Sequence, residues 1–130
     1  MKNGRYRAYR LRRQETVDFR ISRNGFRWEK IDVTRISADG LAFQSPARHD
    51  IHENLQLSLR IYGTLSEFTF QLSGVIVSRV MGSGTSVYFV RFTDITLLQQ
   101  VHLEEIFNSQ RDEFEPESDS EPVPDDRFLL

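Results

Sequence analysis

Along most of this chain the hydrophobic residues fall at every second position. Val17, Phe19 and Ile21 alternate with Asp18, Arg20 and Ser22, which predicts a strand with one buried face. Asn24-Gly25 then offers the positive-φ residues of a tight hairpin turn, and Phe26 and Trp28 are expected to resume the alternation beyond it. Ile31 and Val33 lie out of phase with that pair, which predicts a bulge near Glu29-Lys30. Leu41 and Phe43 follow Gly40 as a short strand. Leu55, Leu57, Leu59 and Ile61 alternate with polar neighbours up to a turn at Tyr62-Gly63. Phe68, Phe70 and Leu72 repeat the pattern, and the apolar parity then changes to Val75 and Val77 across Ser73-Gly74, where the glycine predicts a bulge or barrel corner. Past a glycine-rich loop at 81–84, the run Val87–Phe92 is apolar on both faces and is expected to be the most buried strand.

Behind these strands the period changes. Thr96 and Gln99 have capping-box spacing, and Leu97, Leu98, Val101, Leu103, Ile106 and Phe107 recur at helical intervals. The fold expected is all-β, a small antiparallel barrel of about six strands closed by one C-terminal helix of about three turns. Residues 1–13 read as a basic flexible leader, 14–109 as the barrel with its helix, and 110–130 as an acidic disordered tail whose composition buries too little apolar surface to fold. Phe128-Leu129-Leu130 form an apolar tip on that tail, either a frayed end or a docking motif.

Composition narrows the function. The 130 residues, 38% hydrophobic and 12% aromatic, suffice for one core. The absence of cysteine excludes disulfides and thiolate metal sites, and suits a cytoplasmic location. No run approaches the roughly 20 apolar residues of a membrane helix. A net charge of −2 argues against general affinity for DNA or RNA, but it hides a strong polarity. Lys2, Arg5, Arg7, Arg10, Arg12 and Arg13 precede the first acid, whereas Asp112, Glu113, Glu115, Glu117 and further acids crowd the end. An anionic ligand is therefore expected near the front.

Enzyme signatures are missing. His49, His52 and His102 lack paired zinc-ligand spacing and are expected at the surface or rim. Gly82-Ser83-Gly84 has neither the lysine of a P-loop nor a helix behind it, and reads as a hairpin loop. The paired carboxylates lie mainly in the tail, where nothing fixes their separation.

An arginine cluster followed by Arg35-Ile36-Ser37-Ala38-Asp39-Gly40-Leu41-Ala42-Phe43 remains, and here the sequence resembles the PilZ family, receptor domains for cyclic di-GMP. Ser37 and Gly40 match the Ser and Gly of that family's Asp/Asn-x-Ser-x-x-Gly turn. Ile36, Leu41 and Phe43 match its apolar flanks, and Gly74–Val77 and Val90–Phe92 match its later strands. The resemblance spans roughly Arg10 to Asn108. It implies a non-catalytic domain with no cofactor other than cyclic di-GMP as a regulatory ligand, held by Arg10, Arg12, Arg13, Arg35, Ser37, Asp39 and Gly40. Arginine presents a planar fork of donors to guanine or phosphate, the serine hydroxyl and turn N–H groups add contacts, and Gly40 lets the backbone turn sharply.

Two departures accompany the match. No two arginines of the leader have the family's three-residue separation, and Arg35 stands where the family has Asp or Asn, although a guanidinium has no acceptor to offer guanine. Asp39 can supply the missing carboxylate, or the motif shifts to Asp32-x-Thr34-x-x-Ser37, which restores the acid and loses the glycine. Three functions follow: a cyclic di-GMP-responsive adaptor acting on a protein partner in motility, pilus or exopolysaccharide control; a degenerate PilZ-like interaction module without the nucleotide; and a single-strand nucleic-acid binder. The charge polarity adds a further expectation, that the acidic end folds back on the arginine leader and competes with an anionic ligand.

Overall fold

The computed structural model describes residues 6–117; Lys2, Arg5 and the tip Phe128–Leu130 lie outside them. The elements run β1 (Tyr9–Leu11), β2 (Val17–Ser22), β3 (Glu29–Lys30), β4 (Asp32–Ile36), β5 (Gly40–Ser45), β6 (Asn54–Tyr62), β7 (Glu67–Met81), β8 (Ser86–Phe92), α1 (Leu97–Ser109) and β9 (Phe114–Pro116). The strands form one curled antiparallel sheet, a half-barrel in the order β3-β2-β6-β7-β8-β5-β4-β1-β9. The expected all-β fold with a closing helix is thus observed. Its nine strands exceed six because β1, β3 and β9 are pieces of two or three residues, too short to show a period.

Alternation builds the concave core. Leu57, Leu59 and Ile61 of β6 are fully buried and lie opposite Ile21, Phe19 and Val17 of β2. The fifteen-residue β7 joins the two halves of the sheet, pairing first with β6 and then with β8. Its inward positions Phe70, Leu72, Gly74 and Ile76 keep one parity, so the change expected at Ser73-Gly74 does not occur there. Gly74 occupies an inward site where a Cβ would lie 2.7 Å from Val90 Cγ1 and 2.9 Å from Leu57 Cδ1. The register shift falls two residues on, between Ile76 and Ser78.

The β2–β3 turn also departs from the simple hairpin. Ser22 Oγ accepts the Gly25 N–H at 2.8 Å, and Asn24 Oδ1 accepts the Phe26 and Arg27 N–H groups at 2.8 and 3.0 Å. These side chains satisfy the loop backbone in place of a ladder, Gly25 alone takes positive φ at 83°, and Phe26 is exposed in the loop. The chain does change partners near Glu29-Lys30, from β2 to β5.

Thr96 forms the expected capping box with Gln99. Leu103, Ile106 and Phe107 bury the helix against the sheet, whereas Leu97, Leu98 and Val101 are exposed. His49 is another correction: it is buried, with the Phe43 and Tyr88 rings packed against it at 5.7 and 5.0 Å. Among the described residues no helix is long and apolar enough to cross a membrane.

The last correction concerns both ends. Tyr9–Leu11, assigned to a flexible leader, is a strand, and Phe114–Pro116, assigned to a structureless tail, pairs with it. Phe114 is fully buried, its ring 4.9 Å from that of Phe107. A single well-placed aromatic residue anchors a segment whose composition is otherwise that of a solvated tail.

Candidate ligand surface

Of the site residues expected from sequence, the structure brings Arg10 and Arg35 side by side; Arg12 and Arg13 lead from them toward the start of β4, and Ser37, Asp39 and Gly40 lie at its other end. In the β1–β4 ladder Tyr9 faces Ile36 and Arg10 faces Arg35. Tyr9, Leu11 and Ile36 point into the core, so alternation sends Arg10 and Arg35 out on the opposite face. Arg12, two residues beyond Arg10, continues that face, and its N–H extends the ladder to the Glu113 carbonyl at 2.9 Å. Strand alternation thereby groups arginines that have no three-residue separation in sequence.

Carboxylates from the chain's own C-terminal segment meet these arginines. Arg35 donates from Nε and Nη2 to the two oxygens of Glu117 at 3.0 and 3.1 Å, with both side chains about one quarter exposed. Arg12 approaches Glu115 at 3.9 Å. Arg13 donates to Glu113, and that hydrogen bond holds its pKa above the ordinary guanidinium value.

Ser37, Asp39 and Gly40 form the turn between β4 and β5, and their contacts are largely internal. The Ser37 hydroxyl accepts the Asp39 N–H at 3.0 Å, the Ser37 N–H reaches the Gly40 carbonyl at 2.8 Å, and the Phe92 N–H reaches the Asp39 carbonyl at 2.9 Å. Gly40 is needed for a close approach between strands: a Cβ there would lie 2.1 Å from the Val90 carbonyl oxygen. The expected sharp turn is therefore not its reason, and the N–H groups of Ser37 and Asp39 are engaged within the protein.

The Asp39 carboxylate meets the helix. Its Oδ1 accepts from Gln100 Nε2 at 3.1 Å, and Gln100 Oε1 accepts the Tyr6 hydroxyl at 3.1 Å. Glu104, one helical turn after Gln100, has an Oε2 that is buried with no hydrogen-bond partner among the described residues. Burial pushes its carboxyl above the ordinary carboxylate range, Arg7 pulls it back, and Asp39 adds to the rise.

Sequence reasoning missed Gln100. It expected the acidic end, with Glu113, Glu115 and Glu117, to fold back on the arginines, and missed that this end does so as a strand, for which the period-2 run Glu113-Phe114-Glu115-Pro116-Glu117 was the available signal. A separate cleft of about 620 Å³ between the β6–β7 hairpin and the end of α1, lined in part by Tyr62, Gln110 and Glu113, contains none of the expected residues. No cluster of potential metal ligands occurs among the described residues.

The chain belongs to the PilZ domain family, whose model matches residues 5–109. PilZ domains are non-catalytic receptor domains for cyclic di-GMP, and this chain is accordingly not an enzyme. No curated protein matches the sequence significantly. Among solved structures the chain is similar to the Bacillus subtilis inhibitor of motility MotI/DgrA (TM-score 0.66, 16% identity, covering 86% of this chain and 53% of that one). It is similar to K. pneumonia MrkH in complex with c-di-GMP (TM-score 0.64, 16% identity, 84% and 52% covered). The PilZ domain of Escherichia coli YcgR with c-di-GMP gives a TM-score of 0.60 at 13% identity, with 85% and 94% covered. The chain thus spans about half the length of the first two and nearly all of the isolated domain. At these identities the likeness is one of fold.

Proposed function

We propose that this chain is a cyclic di-GMP-responsive adaptor. The nucleotide is taken on the face formed by Arg10, Arg12, Arg13 and Arg35 beside the Ser37–Gly40 turn, and the signal passes to a protein partner in motility, pilus or exopolysaccharide control. The observation that carries this reading is the β1–β4 register, which sets Arg10 directly opposite Arg35 on the outer face. Adjacent guanidinium forks suit phosphate oxygens or the O6/N7 edge of guanine. Asp39 offers the acceptor that Arg35 lacks, while Ser37 and Gly40 act as positioning residues that shape the turn. The structures of MrkH and YcgR with c-di-GMP support the choice of ligand.

Calorimetry with cyclic di-GMP tests the reading: saturable binding that weakens in Arg12→Ala and Arg13→Ala supports it, and absence of heat at high nucleotide concentration removes it. The second reading, an interaction module without the nucleotide, draws on the two hydrogen bonds by which Arg35 holds Glu117. It requires that partner capture be the same with and without cyclic di-GMP.

A further inference from the structure

The strip from Glu113 to Glu117 has two faces. Phe114 lies opposite Leu11 and packs on Phe107 inside the core, while the glutamates before and after it occupy the outer face of the arginines. Glu113 accepts from Arg13, Glu115 is the register partner of Arg10 and lies 3.9 Å from Arg12, and Glu117 takes two hydrogen bonds from Arg35. The backbones join at both ends, through Arg12 N–H to the Glu113 carbonyl at 2.9 Å and Glu117 N–H to the Ala8 carbonyl at 3.0 Å. Five consecutive residues thus set carboxylates against Arg12, Arg13 and Arg35 of the proposed nucleotide face. The burial of Phe114 explains why the strip docks. It does not require an acid at each of the three outward positions.

We propose that residues 113–117 are a built-in competitor, an acidic strand that occupies the place of the nucleotide dianion and is displaced when cyclic di-GMP binds. This rests on the reading that the arginines hold the nucleotide. Carboxylate and phosphate draw on the same guanidinium N–H donors, and those donors cannot serve both fully. A competitor in the same chain acts at high effective concentration, so nucleotide affinity falls by the fraction of molecules in which the strand is docked. A three-residue edge strand belongs to the readily opened end of local stabilities, which suits release. Release leaves β1 as an unpaired sheet edge, a surface that the closed form does not offer.

The test is calorimetric titration of the full chain with cyclic di-GMP, comparing the unmodified protein, E113Q/E115Q/E117Q and Phe114→Ala. Amide exchange at Arg12 and Glu117 is followed in parallel. Removing the three charges is expected to tighten binding about tenfold or more, with the difference shrinking at 0.5 M salt as exposed pairs are screened. Phe114→Ala, which loosens the strip without altering its charge, is expected to tighten binding as well, and nucleotide is expected to speed exchange at both amides. Equal or weaker binding by both variants, or slower exchange at Glu117 on saturation, overturns the competitor while leaving the nucleotide site standing. Absence of binding by all three proteins overturns the site itself, and the competitor with it.

Discussion

Arg10 and Arg35 are direct partners across the β1–β4 ladder, two guanidinium groups set out from neighbouring positions on one face of the sheet. Like charges placed opposite each other disfavour pairing unless an anion lies among them. The acids of the C-terminal strip supply that anion in the closed structure, and the proposed ligand supplies it on binding. Arg10 is exposed. Arg10→Ala is therefore expected to change folding stability by less than about 0.5 kcal/mol. Cyclic di-GMP affinity should fall about tenfold or more, the worth of a charge-assisted hydrogen bond. Denaturant melts and calorimetry on the same preparation separate the two effects.

Gly40 and Ser37 predict the reverse pattern. The Val90 carbonyl oxygen that a Cβ at Gly40 would meet belongs to the backbone of β8 and cannot swing aside. Gly40→Ala should destabilise the domain by about 2 kcal/mol or more. Ser37→Ala leaves the Asp39 N–H without its acceptor in a buried turn, at a cost of about 1–3 kcal/mol. Urea unfolding midpoints measure both, and a midpoint unchanged in Gly40→Ala would refute the packing role assigned here.

Glu104 gives a pH dependence of definite sign. Burial raises its folded pKa above the unfolded value, so its ionised form is disfavoured in the folded protein. Its contribution to stability is fully present below the unfolded pKa and is lost as pH rises through the folded value. Glu104→Gln should raise the melting temperature at neutral pH and flatten its fall between the two pKa values. Asp18 has the opposite sign. The hydrogen bond from Arg20 depresses its pKa, so that pair loses stability as pH falls below the ordinary aspartate range. Melting temperatures of the two Glu104 forms across mildly acidic to neutral pH carry the comparison.

The sequence revealed those parts of the fold in which a period runs long enough to count. Leu55 to Ile61 showed its strand because it presents several turns of a period-2 pattern, Val87 to Phe92 showed its own as a short apolar run, and Thr96 with Gln99 marked the helix start by spacing. Gly74 was misread because a glycine at an inward position looks like a gap in the alternation, when the space is filled by Val90 and Leu57. Phe26 was misplaced because side-chain acceptors from Ser22 and Asn24 replaced the ladder. Phe114 was hidden by the charge of its neighbours. In the candidate surface the arginines were legible as a cluster and the acidic end as their partner, but which acid meets which arginine became visible only through the pairing of β1 with β9. The inward commitments of Ser37 and Gly40 depend on contacts with β8 and on the turn itself, which no linear pattern records.

The most direct test of the account is to titrate the full chain with cyclic di-GMP while following its assigned amide NMR signals. Saturable shifts are predicted at residues 9–13, 35–39 and 113–117, with the remaining β-sheet signals little changed. No saturable shift at about 1 mM nucleotide, an affinity too weak for a receptor, or shifts confined to other parts of the sheet, would contradict it.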